Sequence, residues 1–181
     1  MLASANDMAS SSTPTRTGQA PIVFGNEGFP QWSPAYAAAW IGLLTTHRRL
    51  TRELDAELEA AHGLTLSGLE LLARLASAPD RRLRLSVLAA EAGLSLSRVS
   101  RIVDALEDRG LIERQPCPAD ARAINAQLTG AGLELARAAQ ATHLAAVRAR
   151  FFDNLTEREV ATLAAVFGRL APDAGSACAA T

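Results

Sequence analysis

Apolar positions recur at three- and four-residue intervals along most of the chain and give way to alternation in only two short stretches. Trp40, Leu43, Leu44, His47, Leu50, Leu54, Leu58 and Ala61 mark one long amphipathic helix, opened by Ser33-Pro34 and closed near His62-Gly63. At 1.5 Å per residue it runs about 40 Å, more than a small globule needs. A long helix with a narrow apolar stripe packs on another long helix, often a partner's. Thr65 and Ser67 begin a second helix carrying Leu69, Leu71, Leu72 and Leu75, closed by Pro79-Asp80. Arg82-Leu83-Arg84-Leu85 alternates and predicts a short strand. Ser86 caps a third helix, Val87 to Ala92. After a turn at Gly93-Leu94, Ser95 caps a fourth helix reaching Arg109, with Gly110 as the residue that ends it.

Leu111 to Pro116 predicts a strand, Pro118 to Ala121 a turn, and Arg122 to Leu128 the returning strand. In that strand Ile124, Ala126 and Leu128 share one face and Ala123, Asn125 and Gln127 the other. Thr129 caps a fifth helix to about Phe152, and Thr156 to Glu159 is a capping box opening a last helix to Leu170. Residues 1–31 are rich in Ser, Thr, Ala, Gly and Pro and read as a disordered tail, with Ile22 to Phe24 docking locally. Residues 172–181 read as a flexible C-terminal tail. The order is therefore helix, helix, strand, helix, helix, strand, strand, helix, helix. A helix–turn–helix followed directly by a two-stranded ribbon is a winged helix, here mainly α with a small β wing and long flanking helices.

Composition narrows the chemistry. The 181 residues suit one domain or two intimately packed ones. Half the residues are apolar but few are aromatic, so the core is Leu, Ala, Val and Ile, which favours helices. The net charge of -1 gives no global field toward nucleic acid or membranes, so a nucleic-acid site must be a local patch. All 18 basic residues are Arg, planar forks suited to phosphates and guanines. Cys117 and Cys178 make no disulfide framework. No apolar run would span a bilayer and no signal peptide is evident, so a cytoplasmic location is the expectation.

The local patch is the fourth helix. Ser95, Ser97, Arg98, Ser100 and Arg101 come first, while Asp104, Glu107 and Asp108 come last. Val99, Ile102, Val103 and Leu106 form its buried face. In a helix–turn–helix the second helix enters the major groove with its N-terminal residues toward base edges. Hydroxyls there reach phosphates and bases, and Arg forks onto guanine. At the hairpin tip, Arg122 can enter a narrow minor groove, with Asp120 holding the guanidinium by a charge-assisted pair. A plainly solvated helix and an ordinary turn pair would show the same residues, and the helix alone does not decide between them.

The stretch "LSLSRVSRIVDALEDRGLIERQPCPADARAINAQLTGAG" resembles the MarR family of bacterial transcription regulators, including a D-x-R wing followed by L-T-x-x-G (Asp120, Arg122, Leu128, Thr129, Gly132). Upstream, "HRRLTRELDAELEAAHGLTLSGLELLARL" resembles that family's first two helices. The likeness covers about residues 35–170 in one order. It implies a homodimer built by residues 32–64 and 129–171 around a DNA-binding region at 65–128, double-stranded DNA as partner, and a pseudo-palindromic operator. It further implies a repressor released by a small-molecule effector. By the resemblance Ser97, Arg98, Ser100 and Arg101 would contact the major groove and Arg122 the minor groove, while Arg84 and Ser86 touch phosphates. Ala121 stands where the family often has a second basic residue, and the recognition helix lacks Lys and Thr, so base preferences do not carry over.

The family's effector pocket usually lies between the dimerisation helices and the winged helix. Trp32, Tyr36, Trp40, Leu44, His47 and Arg48, with Leu66 and Leu69 opposite, are the candidates here, although the same aromatics could simply anchor a dimer. His47 lies on the apolar stripe, as a core histidine would. Cys117, between Pro116 and Pro118 and near Arg114 and Arg122, raises a redox-responsive alternative. A winged helix serving protein contact is another. No glycine-rich phosphate loop, nucleophile elbow, paired carboxylates or metal-ligand spacing is present, so neither an enzyme nor a cofactor or metal is expected.

Overall fold

A helix starts where a capped first turn meets an apolar stripe, and the computed structural model places all six such starts close to where the sequence pattern puts them. It describes residues 22–117 and 120–171, the side chains of residues 117 and 120–122 excepted. It forms two compact units, Met1–His47 and Arg48–Thr181, which divide within the first long helix.

In the first unit, β1 (Ile22–Phe24) and β2 (Pro30–Trp32) pair antiparallel around a single 3-10 turn, Asn26–Gly28. Residues 22–31 are therefore not structureless, as their composition suggested; the apolar run Ile22–Phe24 finds a strand partner in Pro30–Trp32. Residues 1–21 and 172–181, both read as tails, lie outside the described residues. Helix α1 (Pro34–His62) follows at once, with proline at its first position.

The second unit holds the rest of α1, then α2 (Leu66–Ser77), β3 (Arg82–Arg84), α3 (Leu85–Ala92), α4 (Leu96–Glu107), β4 (Ile112–Cys117), β5 (Asp120–Leu128), α5 (Gly130–Arg150) and α6 (Glu157–Leu170). The three strands form one antiparallel sheet in the order β3-β5-β4. Leu58, Leu71, Leu72, Leu75, Leu88, Val99, Val103 and Ile112 are fully buried and knit α1, α2, α3, α4 and the sheet into one core. Each such side chain contributes about 1.5–3 kcal/mol of apolar transfer, enough that core position overrides local propensity.

Caps follow the expected chemistry at four helices. Thr65 accepts from Gly68 N, Ser95 from Arg98 N, Thr129 from Gly132 N, and Thr156 with Glu159 makes a reciprocal capping box. The third helix departs from the expectation. It begins at Leu85, its N-cap is Arg84, and Ser86 is an exposed second helical residue that caps nothing. Leu85 is buried, and drawing it into the core starts the helix early. The fifth helix ends at Arg150, short of Phe152.

The wing also departs from simple alternation. Asp120 and Ala121 are already in β5 and not in a turn; residues 118–119 lie outside the described residues. Ala126 and Leu128 are buried as expected, but Ile124 is exposed and Asn125 is buried. The ladder shifts register between Pro116 and Cys117, next to the Pro116–Ile124 pair. Strand β3 pairs with β5 only at Asn125, Ala126 and Gln127, so Ile124 lies where the sheet narrows to two strands.

At the root of the ribbon, Gly132 makes a close approach that no other residue permits. A Cβ there would collide with the Leu111 carbonyl oxygen and sit 2.7 Å from Leu128 Cδ1. Gly132→Ala is therefore expected to destabilise the fold by about 1–3 kcal/mol through overpacking, against a propensity gain of roughly 1 kcal/mol for Ala over Gly. A lowered urea midpoint at unchanged m-value checks this; an unchanged or raised midpoint shows that the helix slides away freely.

Candidate nucleic-acid interface

With Val99, Val103 and Leu106 turned into the core, the 3.6-residue period puts Ser97, Arg101, Asp104 and Asp108 on the outer face of α4. Arg98 and Arg109 fall on the flank toward the α1–α2 junction, and Ser100 and Glu107 on the flank toward the sheet. The five hydroxyl and arginine residues that sequence puts together thus point three ways.

On the outer face, Ser97 and Arg101 are exposed, and Arg101 has no hydrogen bond or ion pair among the described residues. Ser95 Oγ accepts from Arg98 N at 3.3 Å and lies 3.2 Å from Ser97 Oγ. On the first flank, Arg98 Nη2 donates to Ser67 Oγ at 3.2 Å, and Arg98, Arg101 and Arg109 border an open groove of about 620 Å³. Arg109 donates to the carbonyls of Gly63 (2.6 Å) and His62 (2.9 Å), satisfying the end of α1. On the second flank, Arg84, Ser86, Leu96, Ser100 and Ile124 border a smaller cleft of about 340 Å³ between the starts of α3 and α4 and strand β5.

Ser100 does not present a free hydroxyl. Its Oγ and its carbonyl both accept from Arg114 Nη2 at 3.1 Å. Arg114, on β4, also binds Asp104 Oδ1 and Glu107 Oε2 through Nη1, while its backbone N donates to Glu107 Oε1 at 2.8 Å. The hydrogen bond that Arg114 donates to Asp104, first among several causes, raises the guanidinium pKa above its ordinary value. Arg114 thus neutralises two of the three acids at the end of α4, and pins the wing to that helix. Sequence alone placed Arg114 beside Cys117 instead; its charge is spent on the carboxylates. The backbones of Cys117, Asp120 and Arg122 lie at the ribbon's outer end, with Cys117 paired to Asp120, and their side chains lie outside the described residues.

The proposed effector residues divide between the two units. In the first, Tyr36 and Leu44 are half-buried, whereas Trp32, Trp40 and His47 are exposed; His47 is not a core histidine within this chain. In the second, Arg48 is exposed, Leu69 belongs to the core and Leu66 packs against it. Leu66, Leu69 and His143 share a recess of about 300 Å³ between α2 and α5. Burial pushes the His143 imidazole below its ordinary pKa. The contacts of Arg114, Arg109, Ser67 and His143 described above were not anticipated from the sequence. Only Arg114, an arginine on the strand that directly follows a helix ending in acids, left a readable signal.

Among the described residues no group of three or more His, Cys, Asp or Glu could hold a metal, and no helix is long and apolar enough to cross a membrane.

Residues 62–123 match the sequence model of the MarR family. A MarR family transcriptional regulator from Streptomyces coelicolor, solved in complex with DNA, is 34% identical, with 79% of this chain and 90% of that chain covered and a TM-score of 0.72. AbsC, a MarR family transcriptional regulator from the same organism, is 31% identical over 81% of this chain and 98% of that one, also with a TM-score of 0.72. A mutant MarR from E. coli complexed with operator DNA shares the fold at 22% identity, covering 76% and 96% of the two chains with a TM-score of 0.65. Comparison with curated protein sequences gives no significant match.

Proposed function

The chain belongs to the MarR family of transcriptional regulators, and on that premise we propose that it is a cytoplasmic homodimer binding a pseudo-palindromic operator, a repressor released by a small molecule. The observation that carries the DNA reading is the outer face of α4. It offers Ser97 and an unpaired Arg101 at its N-terminal end, while Arg114 neutralises the carboxylates of Asp104 and Glu107 that would repel phosphate. Arg101 would read a base edge in the major groove, and Arg98, already bonded to Ser67, would lie along the adjoining backbone. Arg84, Ser86 and Ser95 would meet phosphates, and Arg122 would enter the minor groove with Asp120 orienting it. Two copies would set two such helices about one turn of DNA apart, roughly 10 bp between half-site centres.

The dimer reading draws on α6, which has no buried residue in the single chain and exposes Phe167 and Leu170. The recess at Leu66, Leu69 and His143 supports an effector site on the second unit; Tyr36, Trp40, Leu44, His47 and Arg48 on the first helix are the further candidates.

Titration of the protein onto its own promoter region at two salt concentrations tests the DNA reading. Operator affinity is expected to fall steeply with salt, with a log–log slope of about -0.9 for each phosphate contacted. Salt-independent binding, or no preferred site even in a selected random pool, would favour a protein-contact module instead.

A further inference from the structure

The apolar stripe of α4 does not stop where the core stops. Val99 is fully buried, yet three residues before it on the same stripe Leu96, the first residue of the helix, is 53% exposed. Helical side chains lean toward the N-terminus, so Leu96 reaches past the core at the tip of the helix. It borders the cleft between the starts of α3 and α4 and strand β5, and Ile124, 45% exposed, borders the same cleft. Single exposed leucines are ordinary on a protein surface. This one has unusual surroundings. Exposed Ser95 and Ser97 flank it, and Arg84 and Ser86 line the cleft beside it. In a helix–turn–helix this is the end of the helix that leads into the major groove.

Chemistry limits what such a side chain can meet there. Leu96 carries no donor and no acceptor. Set against an amino group, a carbonyl or a ring nitrogen, it would strip water from a polar atom and return no hydrogen bond. One group on the major-groove edges of the bases is apolar, the C5-methyl of thymine. Ser100, further along the same side of α4, is half-buried with its Oγ held by Arg114 Nη2, and does not compete for that position.

We propose that Leu96 is a specificity-determining residue that packs on the C5-methyl of one thymine in each half-site. The proposal rests on the DNA-binding reading above and adds to it an apolar contact beside the polar ones of Ser97 and Arg101. Burial of one methyl group corresponds to roughly a fourfold change in affinity.

The test is a methyl scan on an operator selected from a random-sequence pool. Each thymine in turn is replaced by uracil, which pairs alike and lacks only the methyl group. Affinity is measured for the full chain and for its Leu96→Ala and Leu96→Met variants, with the thermal midpoint of each. For the parent, one thymine in each half-site is expected to cost about fourfold when its methyl is removed. Leu96→Ala should bind the thymine and uracil forms alike, while Leu96→Met, close in volume, should keep most of the difference. The midpoints should stay together, since Leu96 lies outside the buried core. No methyl-dependent thymine, or the same dependence in Leu96→Ala, would overturn the assignment while specific operator binding stands. A loss in Leu96→Ala that is equal on every operator would overturn it too, and put the side chain against the sugar–phosphate backbone. A parent that selects no preferred site would overturn the DNA reading and this contact together.

Discussion

Replacing Arg101 by alanine is expected to weaken operator binding by about 1–3 kcal/mol, roughly 5- to 150-fold, and to leave the fold untouched. The second half of that expectation follows from the side chain's position. Arg101 is exposed on the outer face of α4 and holds no partner among the described residues, so its removal breaks nothing in the protein. The first half follows from its lack of competition: no internal acceptor must be given up before the fork meets a guanine. Arg101→Lys separates reading from attraction. It keeps the charge and so most of the salt dependence, but loses the planar fork, and discrimination among base-substituted operators should fall nearly as far as in the alanine variant. Arg98→Ala should cost less in base preference, because Arg98 lies on the flank and donates to Ser67. The measurements are operator affinity, affinity for singly substituted operators, and the thermal midpoint. If Arg101→Ala bound every operator as the parent does, the outer face of α4 would not be the reading surface.

The helices and their order were legible because periodicity and caps are local. Thr65, Ser95, Thr129 and Thr156 each announce a helix with one side chain, and each caps the helix that follows. The family was legible for the same reason, since its pattern is a run of such local signals. The failures are all matters of tertiary context. Leu85 starts α3 early because the core claims it, which strips Ser86 of the capping role its type suggests. Asn125 is buried between Arg84 of β3 and Gln115 of β4, while Ile124 lies just beyond the end of β3 and is exposed, and no residue in β5 encodes where its neighbour stops. The strand Ile22–Phe24 was hidden in a stretch whose composition is that of a tail, since a three-residue strand carries too few alternations to register as a pattern.

The candidate site shows the same division. Sequence put Ser97, Arg98, Ser100 and Arg101 in one cluster, and helical geometry then sent them to three faces. Ser100 was grouped with the others as a free hydroxyl, yet it is an acceptor for Arg114 from a strand fourteen residues later. Nothing in the sequence shows that Asp104 and Glu107 are neutralised, because the neutralising group comes from another element.

Arg114→Ala is accordingly expected to have the broadest effect of any single change in the winged helix. The guanidinium is largely shielded and serves Asp104, Glu107 and both oxygens of Ser100. Its removal leaves two carboxylates one helical turn apart without a counter-charge and frees β4 from α4. Loss of one partner from a partly buried ionic cluster costs about 2–3 kcal/mol, less than the 3–5 of a fully buried pair, which corresponds to roughly 5–10 °C in the thermal midpoint. DNA affinity should fall as well, beyond what instability explains, because Asp104 shares the outer face with Arg101 and would now repel phosphate. A second variant distinguishes the two effects. Adding Asp104→Asn and Glu107→Gln to Arg114→Ala removes the uncompensated charges, and should restore most of the DNA affinity while recovering only part of the stability, since the bonds to Ser100 stay lost. A midpoint unchanged in the single variant would mean that solvent already screens the cluster, as it does ordinary surface pairs. A DNA affinity not raised by the two added changes would mean that the wing's position, and not the charge of Asp104 and Glu107, is what Arg114 protects.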